Sequence, residues 1–125
     1  MSSPVIAVIE DNEDNRHLMH ALLSDRYELR EYPTGIEALE ALRGFVPDLI
    51  LMDISLPGMD GVQVLEYLHR EPRLRQVPVI ALTAHAMTGD REQLLEAGFD
   101  EYVAKPIVDE EILFEAIERL LVRET

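Results

Sequence analysis

Cysteine is missing from all 125 residues, which excludes disulfides and thiolate-held metals. Tryptophan is missing too, and the aromatics are three Phe and four Tyr. No apolar run comes near the ~20 residues of a membrane span. The opening MSSPVIAVIE has neither a basic start nor a small-residue cleavage site, so no secretory leader is expected. Positive charge is scarce: 11 Lys and Arg stand against 25 Asp and Glu, a net charge of −14. A field of that sign repels phosphate backbones and anionic lipid surfaces. Neither direct nucleic-acid binding nor membrane binding is expected, and a cytoplasmic location fits these absences.

What is present is a core-forming pattern, with 47% hydrophobic residues. VIAVI (5–9), LILM (49–52) and VIAL (79–82) are short, continuous and largely β-branched. Such runs are predicted strands of a parallel sheet covered on both faces. YELREY (27–32) and DEYVAK (100–105) alternate, as half-exposed edge strands do. Helical spacing is predicted between them: over 12–25 with Leu18, Met19, Leu22 and Leu23, over 35–43 with Ile36, Leu39 and Leu42, and over 61–70 with Val64, Leu65 and Leu68. A helix over 88–97 has little apolar face beyond Leu94 and Leu95. A final one over 109–122 carries Ile112, Leu113, Ala116, Ile117, Leu120 and Leu121, with Phe114 at the margin, where an aromatic is placed to face a partner. Five strand–helix repeats with three central and two edge strands imply a flavodoxin-like, doubly wound α/β fold. Its predicted order is 2-1-3-4-5, with five helices, in one domain spanning residues 1–125.

In such a sheet every strand ends at the same edge. There the sequence places Glu10 and Asp11 after the first strand, Asp53 ending the third, Thr83 after the fourth, and Lys105 with Pro106 after the fifth. Crowded carboxylates take up protons unless cations sit among them. Lys105 supplies one charge, and a few oxygen ligands with room for water suit Mg²⁺ (or Mn²⁺) better than Ca²⁺. An ammonium, a hydroxyl and a divalent ion together suit phosphoryl oxygens, and an aspartate can carry a phosphoryl group as an acyl phosphate.

From VIAVIEDN through LILMDISLPGMDG and VIALTA to YVAKPI, the chain resembles the response-regulator receiver domains of two-component signalling. The spacings of 30 residues from Asp53 to Thr83 and 52 from Asp53 to Lys105 match that family. AHAMTGD is most similar to DivK-like single-domain regulators and hybrid-kinase receivers. The resemblance implies that Asp53 accepts phosphate from a phosphohistidine on a sensor histidine kinase or a histidine phosphotransfer protein. It implies that Glu10, Asp11, Asp53 and the Ser55 carbonyl bind Mg²⁺, and that Thr83 and Lys105 hold phosphoryl oxygens. Many relatives have two aspartates at Glu10–Asp11, and the longer glutamate is expected to reach the ion through water. The resemblance further implies a cis peptide before Pro106, a switch formed by Thr83 and Tyr102, and tuning of dephosphorylation by Ser55 and His85. The chain is then no enzyme in the usual sense. It is a phosphoacceptor switch that catalyses only its own aspartyl phosphorylation and dephosphorylation. Its output is a target protein on the face of the fourth helix, fifth strand and fifth helix.

Several of these residues also have plainer readings. Asn12 is a better helix cap than Asp11, and Asp60-Gly61 reads as turn and cap chemistry. His17 and His20 lack a third ligand and read as surface residues. DNEDNR lacks the glycine and closing glutamate of a calcium loop. A haloacid-dehalogenase-type phosphatase needs a second aspartate where Ser55 stands. A flavodoxin needs a phosphate-cradling first loop, which EDNEDN would repel. A binding module of the same fold that is never phosphorylated does not need the full acid, Thr and Lys set.

Overall fold

Five parallel strands lie side by side in the order β2-β1-β3-β4-β5, as predicted: β1 Val5–Ile9, β2 Glu28–Tyr32, β3 Leu49–Asp53, β4 Val79–Thr83 and β5 Glu101–Ala104. The helices between and after them are α1 Glu13–Leu23, α2 Gly35–Ala41, α3 Gly61–Arg70, α4 Asp90–Ala97 and α5 Glu110–Arg123. This computed structural model describes residues 3–84, 90–105 and 110–123. Pro106 and His85 lie outside the described residues.

Strand pattern and burial agree. β3 and β4 are buried along their whole length and β1 in all but its first residue, whereas β2 and β5 are half-exposed edges. Alternate side chains of the central strands feed two cores. Ala7, Ile9, Ile50, Met52, Val79 and Ala81 pack with α2, α3 and α4 through Ala38, Leu42, Val64, Leu65, Leu68 and Leu94. Ile6, Val8, Leu49, Leu51, Ile80 and Leu82 pack with α1 and α5 through Met19, Leu23, Leu113, Ala116, Ile117 and Leu120.

Side-chain caps start the first three helices. Asn12 Oδ1 accepts from the Asn15 amide at 2.9 Å, Thr34 Oγ1 from the Glu37 amide at 3.1 Å, and Asp60 with Gln63 forms a reciprocal capping box. Both Asn12 and Asp60 therefore serve as the sequence suggested.

Four apolar side chains depart from expectation. Leu18, Ile36 and Ile112 were assigned to buried stripes but are 39%, 53% and 54% exposed. In α2 the buried face runs through Gly35 and Ala38, because a Cβ on Gly35 would meet Val64 Cγ2 at 2.5 Å. That close approach to α3 turns Ile36 outward. In α1 and α5 the inward lines are Met19–Leu23 and Leu113–Ala116–Ile117–Leu120, leaving Leu18 and Ile112 on their margins. Phe114 does not stand ready for a partner. It packs partly buried on the α1–α5 side, with the Arg26 guanidinium 4.1 Å from its ring centre.

Candidate functional site

The carboxyl edge of the sheet brings four of the strand-tip residues together. Glu10 extends β1, its amide donating to the Tyr32 carbonyl at 3.0 Å. Asp53 closes β3 in register with Leu82, and Thr83 closes β4 in register with Ala104. The Lys105 amide donates to the Thr83 carbonyl at 2.7 Å, which aligns the lysine with the end of β4. Glu10, Asp53 and Thr83 are the buried polar residues at this edge, with Glu10 0% and Asp53 3% exposed.

Lys105 Nζ lies 2.9 Å from Asp53 Oδ2 and 3.1 Å from Glu10 Oε1. Asp53 Oδ1 accepts the Ser55 amide at 2.9 Å, so both oxygens of Asp53 are directed and the turn after β3 starts on its carboxylate. The turn is tight. The Gly61 amide donates to the Ile54 carbonyl at 2.9 Å, and a Cβ on Gly61 would lie 2.8 Å from Ile54 Cα and 2.9 Å from the Asp53 carbonyl. Gly61 thus lets the start of α3 rest directly on the backbone of Asp53.

Glu10, Asp11 and Asp53 each offer a carboxylate oxygen within 4.8 Å of the others'. Glu10 is pushed up from 4.5 to about 7 by burial, then by its hydrogen bond and repulsion with Asp53, with Lys105 pulling the other way. Burial also pushes Asp53 up, but hydrogen bonds from Glu10, Lys105 and the Ser55 amide, with the Lys105 charge, bring it below its usual value. Burial disfavours the Lys105 ammonium, yet its bonds to Asp53 and Glu10 raise it overall. Without a metal the pocket is therefore short of positive charge, and Glu10 keeps a proton more readily than a free glutamate does. The hard oxygen donors and this charge deficit fit a small divalent cation such as Mg²⁺.

The other sequence-predicted residues that the structure describes have clear positions. Asp11 is exposed at the mouth, and Ser55 is exposed beside Asp53. Tyr102 is half-buried, in register with Ala81 and packed against the core beneath α3 and α4. His17 and His20 are surface residues beside Glu13 and Glu31. Two contributors escaped the sequence reading. Asn15 Nδ2 donates to Glu10 Oε1 at 3.0 Å, and Arg16 Nη1 donates to the carbonyls of Glu10 at 2.7 Å and Asp11 at 3.0 Å. Their signal was position: both lie in the first turns of a helix that starts at the acids.

The chain is similar to known proteins. The model of the family described as Response regulator receiver domain matches residues 6–118. The polar-differentiation response regulator DivK of Brucella ovis is 44% identical over 103 residues, 82% of this chain and 84% of DivK. The signal transduction histidine-protein kinase BarA of Escherichia coli is 44% identical over 108 residues, 86% of this chain, which spans only 12% of that kinase's length. The solved receiver domain of the sensor histidine kinase PA1611 from Pseudomonas aeruginosa PAO1, with a magnesium ion coordinated in its active site cleft, superposes with a TM-score of 0.87 at 35% identity. That match covers 96% of this chain and 98% of the other.

Proposed function

This chain belongs to the response regulator receiver domains of two-component signalling, and from that premise we propose that Asp53 is its phosphoryl acceptor. One observation carries the reading: Asp53 meets an ammonium at 2.9 Å and two further carboxylates at the open edge of the sheet. An Asp53 oxygen attacks the phosphorus of a phosphohistidine on a sensor histidine kinase or histidine phosphotransfer protein. The N–P bond breaks, the imidazole leaves with its electron pair, and an acyl phosphate remains. Lys105 stays charged, because its carboxylate partners raise its affinity for the proton. It passes from the carboxylate to the phosphoryl oxygens and offsets their charge. Thr83, buried at the tip of β4, takes a further phosphoryl oxygen in this reading.

Glu10, Asp11, Asp53 and the Ser55 carbonyl would hold Mg²⁺ or Mn²⁺. When bound, the ion supplies divalent positive charge to the crowded carboxylates and the incoming phosphoryl group. The domain's only chemistry in this reading is its own aspartyl phosphorylation and dephosphorylation, the latter tuned by Ser55 and by His85, which lies outside the described residues.

Output runs through Thr83 and Tyr102 to a target protein on the face of α4, β5 and α5. Supporting this, Leu94 is the one buried apolar side chain described in α4, while Leu95 and Ile112 are exposed, so α4 is lightly held. The net charge of −14 argues against direct nucleic-acid or membrane contact. Among the described residues no helix is long and apolar enough to cross a membrane, and we place the domain in the cytoplasm. The elements from β1 to α5 form one sheet and its covering helices, which supports residues 1–125 acting as a single receiver unit.

Incubation with acetyl phosphate and Mg²⁺, followed by intact mass, tests the assignment. A phosphate adduct is expected on the wild-type chain and not on Asp53→Asn. Equal labelling of both places the acceptor elsewhere.

A further inference from the structure

The acids after β1 are held from behind by the first turns of α1, and we propose that Arg16, aided by Asn15, is a positioning residue for the metal-holding half of the cleft. This rests on the reading of Glu10 and Asp11 as ion-holding residues. A single guanidinium nitrogen, Arg16 Nη1, donates to the carbonyls of both residues, at 2.7 and 3.0 Å. Two consecutive peptide groups are thereby tied to the helix that follows them. The Glu10 amide is already tied to β2 through the Tyr32 carbonyl at 3.0 Å. The backbone that presents both carboxylates is thus secured on two sides, although Asp11 itself is exposed.

Asn15 does for the Glu10 side chain what Arg16 does for its backbone. Its Nδ2 lies 3.0 Å from Oε1, the same oxygen that Lys105 reaches at 3.1 Å. Among the described residues, Oε2 is given a long contact from the Asn12 amide, 3.4 Å, which makes it the less committed oxygen of Glu10 and the one better able to turn to a cation. The Asn15 amide also completes the Asn12 cap at 2.9 Å, so helix start and acid placement form one unit. Outer groups that orient ligands in this way commonly govern metal affinity as strongly as tens-fold.

Charge and positioning make opposite predictions. Arg16 is a cation near a cation site, so deleting its charge alone makes the pocket more negative and tightens Mg²⁺ binding. Losing the clamp leaves the acids to be ordered at the expense of binding, which weakens it. The test follows amide resonances of the full chain during Mg²⁺ titration, at a temperature where each variant is folded. Arg16→Met is expected to raise the Mg²⁺ Kd about tenfold, and Asn15→Ala to raise it less. Phosphorylation of Arg16→Met by acetyl phosphate is expected to be slow at low Mg²⁺ and to recover at saturating Mg²⁺. A purely structural role would lower the melting temperature and leave the Kd alone. A folded Arg16→Met with an unchanged or smaller Kd overturns the proposal. Should that variant not fold, Asn15→Ala decides by the same criterion. A wild-type chain that binds no Mg²⁺ overturns both this proposal and the reading beneath it. Normal wild-type binding with an unchanged variant overturns the clamp alone.

Discussion

Lys105 and Glu10 stand 95 residues apart in the chain and 3.1 Å apart in the fold. The same ammonium serves Asp53, so it occupies the ground that a divalent cation and a phosphoryl group would contest. Lys105→Met should therefore have two opposed effects. Acceptance of a phosphoryl group should slow by about a hundredfold or more, the usual cost of one lost charge-stabilising donor. Mg²⁺ binding should tighten by about tenfold or more, because a unit charge a few ångströms from a divalent ion is worth well over 1 kcal/mol even at an effective dielectric of about 20. Calorimetric titration and intact-mass kinetics read the two effects separately. Weaker Mg²⁺ binding in the variant would show that the ammonium and the ion do not compete.

Glu10 makes the metal-free protein sensitive to pH in a defined direction. Its carboxyl is raised from 4.5 to about 7 by folding, so the folded state holds the proton more tightly than the unfolded chain. The stability this contributes is fully present below pH 4.5 and is lost as pH rises through about 7. Asp53, lowered by folding, contributes in the opposite sense, and its share disappears only in more acid solution. Glu10→Gln mimics the protonated form. The variant should gain stability over the wild type as pH rises across that window, as thermal melts without metal would show. Mg²⁺ affinity of the wild type should also increase across it, since the ion has to displace the proton. Parallel melting curves for the two proteins would refute the linkage.

Two adjacent residues separate stability from site geometry. Asp60→Ala removes the capping box of α3 and should cost about 1 kcal/mol with little change in Mg²⁺ affinity. Gly61→Ala forces a Cβ against the Asp53 carbonyl and Ile54 Cα. That overpacking should cost about 1–3 kcal/mol and also slow phosphorylation, because the backbone of the acceptor has to move. Denaturant melts and acetyl phosphate kinetics on both variants distinguish them. Equal phosphorylation rates would mean that the crowding relaxes away from Asp53.

Arg26 closes over Phe114 at 4.1 Å and pairs with Glu118 at 3.3 Å. Because that ion pair is exposed on both sides, it adds little. Arg26→Ala should lose about 0.5–1 kcal/mol, chiefly from the ring contact, without altering Mg²⁺ binding or phosphorylation. A change in either would connect the α1–α5 face to the cleft.

The burial pattern of the strands was legible because a parallel sheet demands apolar residues on both faces. The helix faces were less so, since reading them by their largest side chains assigned Ile36 to the core. Contact between α2 and α3 is instead made through Gly35 and Ala38, whose small size permits a close approach that no hydrophobic stripe announces. Asn15 and Arg16 were missed for a related reason. Polar side chains near a helix start normally face water, and only the return of the β1–α1 loop gives them carbonyls and a carboxylate to hold.

The amino-acid order by itself determined the strand-helix alternation, the identity of the central strands and the set of polar residues at the strand tips. Those are local properties, set by side-chain period and by which residues tolerate burial. Only the tertiary structure decided that one ammonium bridges Asp53 and Glu10, that Glu10 rather than Asp11 is the buried acid, and that Arg16 ties the loop from behind. The Lys105 bridge depends on separations of a few ångströms between segments far apart in the chain, and the Arg16 tie on how the loop before α1 folds back on the helix. Hydrogen bonds and Coulomb interactions between buried groups change steeply over such distances, whereas the hydrophobic pattern that builds the sheet does not.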